Sequence, residues 1–86
     1  MTREVTVTNA LGLNASNAPL MVQKANSYKS SIWIQMDDRQ INAKSLLGVI
    51  SLGIKKGMTV QFIAEGEDAA DALEGMSVLV AKDAEQ

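Results

Sequence analysis

Two places in this chain of 86 residues put chemically capable side chains where a helix is expected to begin. The first is the stretch GLNASNAPL, residues 12–20, in which Asn14, Ser16 and Asn17 are all residue types that cap a helix N-terminus. The second is Ser45, which stands ahead of the run LLGVISLGI. A helix start carries unpaired N–H groups and the positive end of the helix dipole, so each place could hold an anion. Every helix has such a start, and the plain expectation at both is a capping side chain and nothing more. Ser45 differs from an amide in that its hydroxyl can accept a phosphoryl group. A phosphate there would stand beside the apolar Leu46, Leu47 and Ile50 with Lys44 adjacent. That combination suits docking on a partner that supplies Arg or Lys and an apolar groove.

The composition removes most other chemistry. The chain contains no histidine and no cysteine, so disulfides, thiolate nucleophiles, zinc ligation and imidazole acid–base catalysis are all excluded, and an enzyme is not expected. The acidic residues Glu65, Glu67, Asp68 and Asp71 lack calcium-loop spacing and read as a solvated helix start. Gly66 and Gly75 form no phosphate-loop motif. No metal and no cofactor is expected. A net charge of -2 gives no electrostatic footprint for nucleic acid. The longest apolar run, Leu46 to Ile54, is far shorter than the roughly 20 residues that span a bilayer. The opening MTREVTV has no export pattern. The expectation is a cytoplasmic protein of one globular domain, residues 1–86, without direct contact to membrane or nucleic acid.

Periodicity supplies the elements that must position these residues. REVTVT, residues 3–8, alternates as a strand with Val5 and Val7 inward and Thr6 and Thr8 toward solvent. Ala18, Met21, Val22, Ala25 and Tyr28 fall at helical spacing. Pro19 sets where that helix starts. Were Asn14 the cap, Pro19 would be the fifth helical residue and would cost roughly 3 kcal/mol; with Ser16 or Asn17 as cap it falls in the first turn. Ser31 to Met36 alternates, Asp37-Asp38 turns, and Arg39 to Asn42 completes a hairpin. Trp33 lies on the side opposite Ile32 and Ile34, as sheet packing or as an exposed contact. LLGVISLGI, closed by Gly57, is a short helix that is apolar almost all round. Val49 and Leu52 are its expected core side, and the remainder is surplus to the core. Met58 to Ala64 is a fourth strand. Asp68, with Asp71 three residues on, is expected to cap a last helix over Ala69 to Val80, followed by the tail KDAEQ. The order β-α-β-β-α-β-α predicts an α+β open-faced sandwich: a four-stranded antiparallel sheet covered on one face by three helices.

Over about residues 3–80 the chain resembles the HPr family, the small phosphocarriers of the bacterial sugar phosphotransferase system and their regulatory relatives of the Crh type. The resemblance is carried by INAKSLLGVISLGIKKG, residues 41–57, with EVTVTNALGL and AEGEDAADALE in support. It implies the HPr-like fold. In the family, the segment after the first strand reads G-L-H-A-R-P, and its His carries phosphate from Enzyme I to an Enzyme IIA. Here Asn14 stands at the His position and Ser16 at the Arg position. An amide nitrogen conjugated to its carbonyl is a very poor nucleophile, so phosphocarrier chemistry should be absent. The resemblance makes Ser45 the target of HPr kinase/phosphorylase. Leu46, Leu47 and Ile50, with Lys44, become the surface for catabolite control protein A or a similar LacI-type regulator. Ser16 weakens that last inference, because the family's Arg also helps that docking. The alternative is a binding protein that docks on Enzyme I or Enzyme IIA without phosphoryl transfer.

Overall fold

The computed structural model describes residues 1–8 and 18–81. Its elements are β1 (Thr2–Thr6), α1 (Ala18–Asn26), β2 (Ser31–Met36), β3 (Arg39–Asn42), α2 (Leu46–Leu52), β4 (Thr59–Glu65) and α3 (Ala69–Ala81). The strands form one sheet in the order β1-β4-β2-β3, with every pairing antiparallel. The predicted order and the open-faced sandwich are what the chain adopts.

Strand alternation divides the two faces. Register places Val5 opposite Val60 and Ile34 opposite Phe62. These side chains lie on the helix side, where Val60, Ile34 and Phe62 are buried with Met21, Val49 and Met76. The other face is polar: Glu4 pairs with Gln61, Gln61 with Gln35, and Gln35 with Gln40, and the Thr6 and Thr59 hydroxyls meet at 3.1 Å. Trp33 belongs to this open face, half-buried between Ile63 and Asn42 of the neighbouring strands. Its role is therefore cross-strand packing.

Three expectations are corrected. Thr8 does not extend the solvent-facing row: its N–H donates to the Val80 carbonyl at 3.1 Å, beyond the end of β1, and its hydroxyl is buried. The run LLGVISLGI ends as helix at Gly53, whose φ of 63° supplies the left-handed cap and whose N–H donates to Ile50 O; Gly57 instead serves the turn into β4. Asp68 sits at the N-terminus of α3, but its carboxylate is turned to the loop between α1 and β2. There it accepts from Lys29 N at 2.9 Å, from Ser30 N at 2.9 Å and from Ser30 Oγ. Ser30 is buried, and a side chain at Gly66 would strike it, so two loops close on one another through a carboxylate.

These bonds, that from the Ser30 hydroxyl first, hold the Asp68 carboxyl below the usual carboxylate range. A group whose folded pKa is depressed stabilises above its unfolded pKa and ceases to do so as pH falls through the folded value. Urea titrations should therefore find Asp68→Asn less stable than the native chain at neutral pH, with the gap closing once the pH drops below the carboxylate range. A gap independent of pH would contradict the ionised bond.

Gly75 lies within α3, where alanine ordinarily stabilises by about 1 kcal/mol. Here a Cβ would fall 1.9 Å from the Tyr28 hydroxyl and 3.0 Å from Cζ of the ring. Gly75→Ala is expected to destabilise by about 1–3 kcal/mol through overpacking. Adding Tyr28→Phe should restore part of that loss, as measured by thermal unfolding.

Candidate functional site

The second helix start is assembled by a hydrogen-bonded turn. As β3 ends, Asn42 Oδ1 accepts from Lys44 N at 2.8 Å and Asn42 O accepts from Ser45 N at 3.0 Å. Between them, the fully buried Ala43 donates its N–H to Ile32 O at 2.9 Å, which fixes the turn to the sheet. Ser45 emerges in extended conformation (φ −105°, ψ 115°) as the N-cap of α2. Its Oγ accepts from Gly48 N at 3.2 Å, and its carbonyl takes Val49 N at 3.0 Å. Gly48 keeps space around that hydroxyl: a Cβ there would lie 3.3 Å from Ser45 Oγ and 3.4 Å from Ile41 Cβ. Ser45 is exposed. No described side-chain base contacts its hydroxyl, so any phosphoryl transfer to it needs an external catalyst.

The residues predicted to surround Ser45 are not equivalent. Leu47 is 80% exposed and Leu46 40%, while Val49 and Leu52 are buried in the core as expected. Ile50 departs from the expected exposed patch: it is half-buried and packed against the core, because a helix this short turns little more than one side to solvent. Lys44 departs further. Its ammonium donates to the Tyr28 carbonyl at 3.0 Å in a partly buried position, so its charge serves the end of α1 and is not free beside the serine.

Sequence reasoning placed the contact surface on α2 alone and missed α1. Leu20 is 59% exposed. With Pro19, Val22 and Gln23 it lines a groove of about 400 Å³ that Leu46 closes from α2. The signal was present, since Leu20 falls outside the stripe Ala18, Met21, Val22 and Ala25. Asn14, Ser16 and Asn17 lie outside the described residues. Pro19 lies in α1, and the expected cap at Ser16 or Asn17 falls on those undescribed residues. Among the described residues no three acidic side chains are grouped so as to hold a metal ion.

Comparison with known proteins gives this geometry a context. A family model described as PTS HPr component phosphorylation site matches residues 1–82. The HPr-like protein Crh of Halalkalibacterium halodurans is 40% identical over 81 residues, covering 94% of this chain and 96% of that protein. The HPr-like protein Crh of Bacillus subtilis is 40% identical over 78 residues, 91% of this chain and 92% of its own. The crystal structure of a phosphocarrier protein HPr from Bacillus anthracis superposes with a TM-score of 0.90 at 39% identity, covering 93% of this chain and 95% of that one. Overall identity thus does not separate the two kinds of relative.

The capping bond predicts a cost. Ser45→Ala removes the acceptor for Gly48 N and should destabilise the chain by about 1 kcal/mol in chemical unfolding, whereas Ser45→Asp, itself a capping residue, should lose much less. Equal losses would show that the bond carries no weight.

Proposed function

We propose, from the premise that the chain belongs to the HPr family, that it is a Crh-like regulatory member whose switch is phosphorylation of Ser45. Membership places it among HPr-like proteins of the phosphotransferase system and catabolite control. The more specific reading starts from position 14. Asn14 offers an amide where phosphoryl transfer needs a nucleophilic ring nitrogen, so no relay from Enzyme I to an Enzyme IIA passes through it. Of the two positions that the family resemblance singles out, Ser45 is the one that keeps a competent phosphoryl acceptor.

The observation that carries this reading is the setting of the serine: an exposed hydroxyl, on a turn anchored by buried Ala43, beside the exposed Leu46 and Leu47. Phosphorylation adds a dianion without removing any buried contact. Because Lys44 is engaged with Tyr28, the new charge keeps its attraction for a partner's Arg or Lys, while Leu46 and Leu47 supply apolar contact. HPr kinase/phosphorylase is the modifying partner in this proposal, and catabolite control protein A or a similar LacI-type regulator is the protein that docks. The groove between α1 and Leu46 favours a second reading, a protein that occupies Enzyme I or Enzyme IIA without transferring phosphate.

Incubation with HPr kinase/phosphorylase and ATP, followed by mass spectrometry, should add one phosphoryl group to Ser45 and none to Ser45→Ala, while phosphoenolpyruvate with Enzyme I adds none. An unmodified chain that binds Enzyme I tightly would instead support the second reading. Leu47→Ser should leave folding stability within about 0.5 kcal/mol and weaken regulator binding of the phosphorylated protein by about tenfold or more.

A further inference from the structure

At the end of α2 away from Ser45, Arg39 reaches across from the start of β3 to Ser51. Its Nη1 donates to the Ser51 carbonyl at 3.1 Å and its Nη2 donates to Ser51 Oγ at 3.2 Å. The Ser51 hydroxyl in turn donates to Gly48 O at 2.8 Å. Both residues are exposed. Among the described residues the ion pair formed is Arg3 with Glu74, so Arg39 carries a charge with no carboxylate against it. Part of this has a structural purpose. α2 has no basic residue in its last turn, and a cation on its final carbonyls complements the negative end of the helix. That accounts for Nη1, but not for a second nitrogen held on the hydroxyl.

We propose that Ser51 is a further phosphoryl acceptor and that Arg39 is its anion clamp within the same chain. The hydroxyl oxygen attacks the γ-phosphorus of ATP held by a serine kinase. An oxygen–phosphorus bond forms as the bond from that phosphorus to the β,γ-bridging oxygen breaks; ADP leaves, and the hydroxyl proton passes to the kinase's base. Gly48 O gives up the side-chain donor but remains the acceptor of the helical bond from Leu52 N. A phosphate at the C-terminal end of a helix meets the unfavourable pole of the dipole. The planar guanidinium, already bonded to the oxygen that becomes the ester oxygen, offsets this by pairing with the phosphate.

The position also has a consequence for docking. Leu47 and Ser51 are four residues apart on α2 and share one side of it. A dianion at Ser51 would therefore stand beside the exposed Leu47 already paired with Arg39, adding hydration that opposes apolar contact there without offering a free charge to a partner's Arg or Lys. That is the reverse of the effect at Ser45, whose neighbour Lys44 is engaged elsewhere. This consequence rests on the function proposed above, whereas the acceptor and its clamp do not.

The test installs phosphoserine at position 51 by semisynthesis and follows the phosphate by phosphorus NMR across pH. Pairing with Arg39 should lower the second ionisation by about half a unit or more relative to the same protein carrying Arg39→Gln. The phosphate should also depress the melting temperature more in Arg39→Gln than in the native background. Identical ionisation in the two backgrounds would reduce Arg39 to a helix cap and overturn the clamp. In cells that produce the protein natively, fragmentation of the tryptic peptide spanning residues 45–55 should find phosphate on Ser51 as distinct from Ser45. Its absence across growth conditions would overturn the acceptor. The docking effect is read separately, as regulator binding of protein phosphorylated at Ser45 with and without phosphoserine 51. Unchanged binding there would overturn the opposing effect alone.

Discussion

The loop Tyr28 to Ser30, between α1 and β2, must bury or satisfy its backbone polar groups with almost no secondary structure of its own, and the arrangement of the helices depends on how it does so. A buried N–H or carbonyl left without a partner costs free energy comparable to a lost hydrogen bond. Here the Tyr28 carbonyl takes the Lys44 ammonium, and the Lys29 and Ser30 N–H groups take the two oxygens of Asp68. One partner arrives from the turn before α2 and the other from the start of α3. The Tyr28 side chain extends the junction: its hydroxyl lies where Gly75 of α3 leaves room, and Lys24 Nζ stands 5.6 Å from its ring centroid. Three residues thus tie all three helices to the sheet.

That junction explains why the neighbourhood of Ser45 has the charge distribution it has. Lys44 is drawn inward because Tyr28 O needs a donor, so the cation nearest the serine in sequence is not the cation nearest in effect. α2 is left with an apolar inner side, Val49 and Leu52, and an outer side on which Leu46 and Leu47 stand with the two serines. A seven-residue helix has little intrinsic stability. It is held by its ends: Ser45 with Asn42 at one, Gly53 and Arg39 at the other. Helix ends fixed in this way allow the outer surface to be unusually apolar without loss of the fold.

The sheet, the hairpin and the core faces were legible in the sequence because strand alternation and helical stripes are properties of near neighbours. Val7, Phe62 and Met76 follow that pattern directly. What escaped the sequence was contact between residues distant along the chain. Asp68 has the spacing of a helix cap, and nothing local shows that Ser30, 38 residues away, competes for its carboxylate and wins. Gly75 reads only as outside any phosphate-loop motif, with no local sign that Tyr28 occupies the missing side chain's place. Ile50 and Lys44 were assigned to the partner surface by their sequence neighbours, and nothing local shows that Ile50 is half-buried against the core or that Lys44 reaches a carbonyl 16 residues away. Of the candidate site, the serine and the two exposed leucines were readable; the place of Leu20 outside the α1 stripe was readable too, but its share in a groove with Leu46 was not, since that requires knowing that α1 lies beside α2.

The groove shared by Pro19, Leu20 and Leu46 bears on how a family member can lose one chemistry and keep another. A phosphoryl acceptor needs one particular atom, whereas a docking surface needs area, shape and apolar contact distributed over several residues. On the function proposed above, an amide at position 14 removes the first requirement and leaves the second to the side chains of α1 and α2. The apolar side chains on α1 and α2 owe their positions to helix packing over the core, through Met21, Ala25, Val49 and Leu52, all of which are buried. So long as the core is kept, the surface above it is presented in the same geometry. On that proposal, recognition outlasts the transfer reaction because the surface is kept by the core, and control passes to the exposed hydroxyl of Ser45 at its rim.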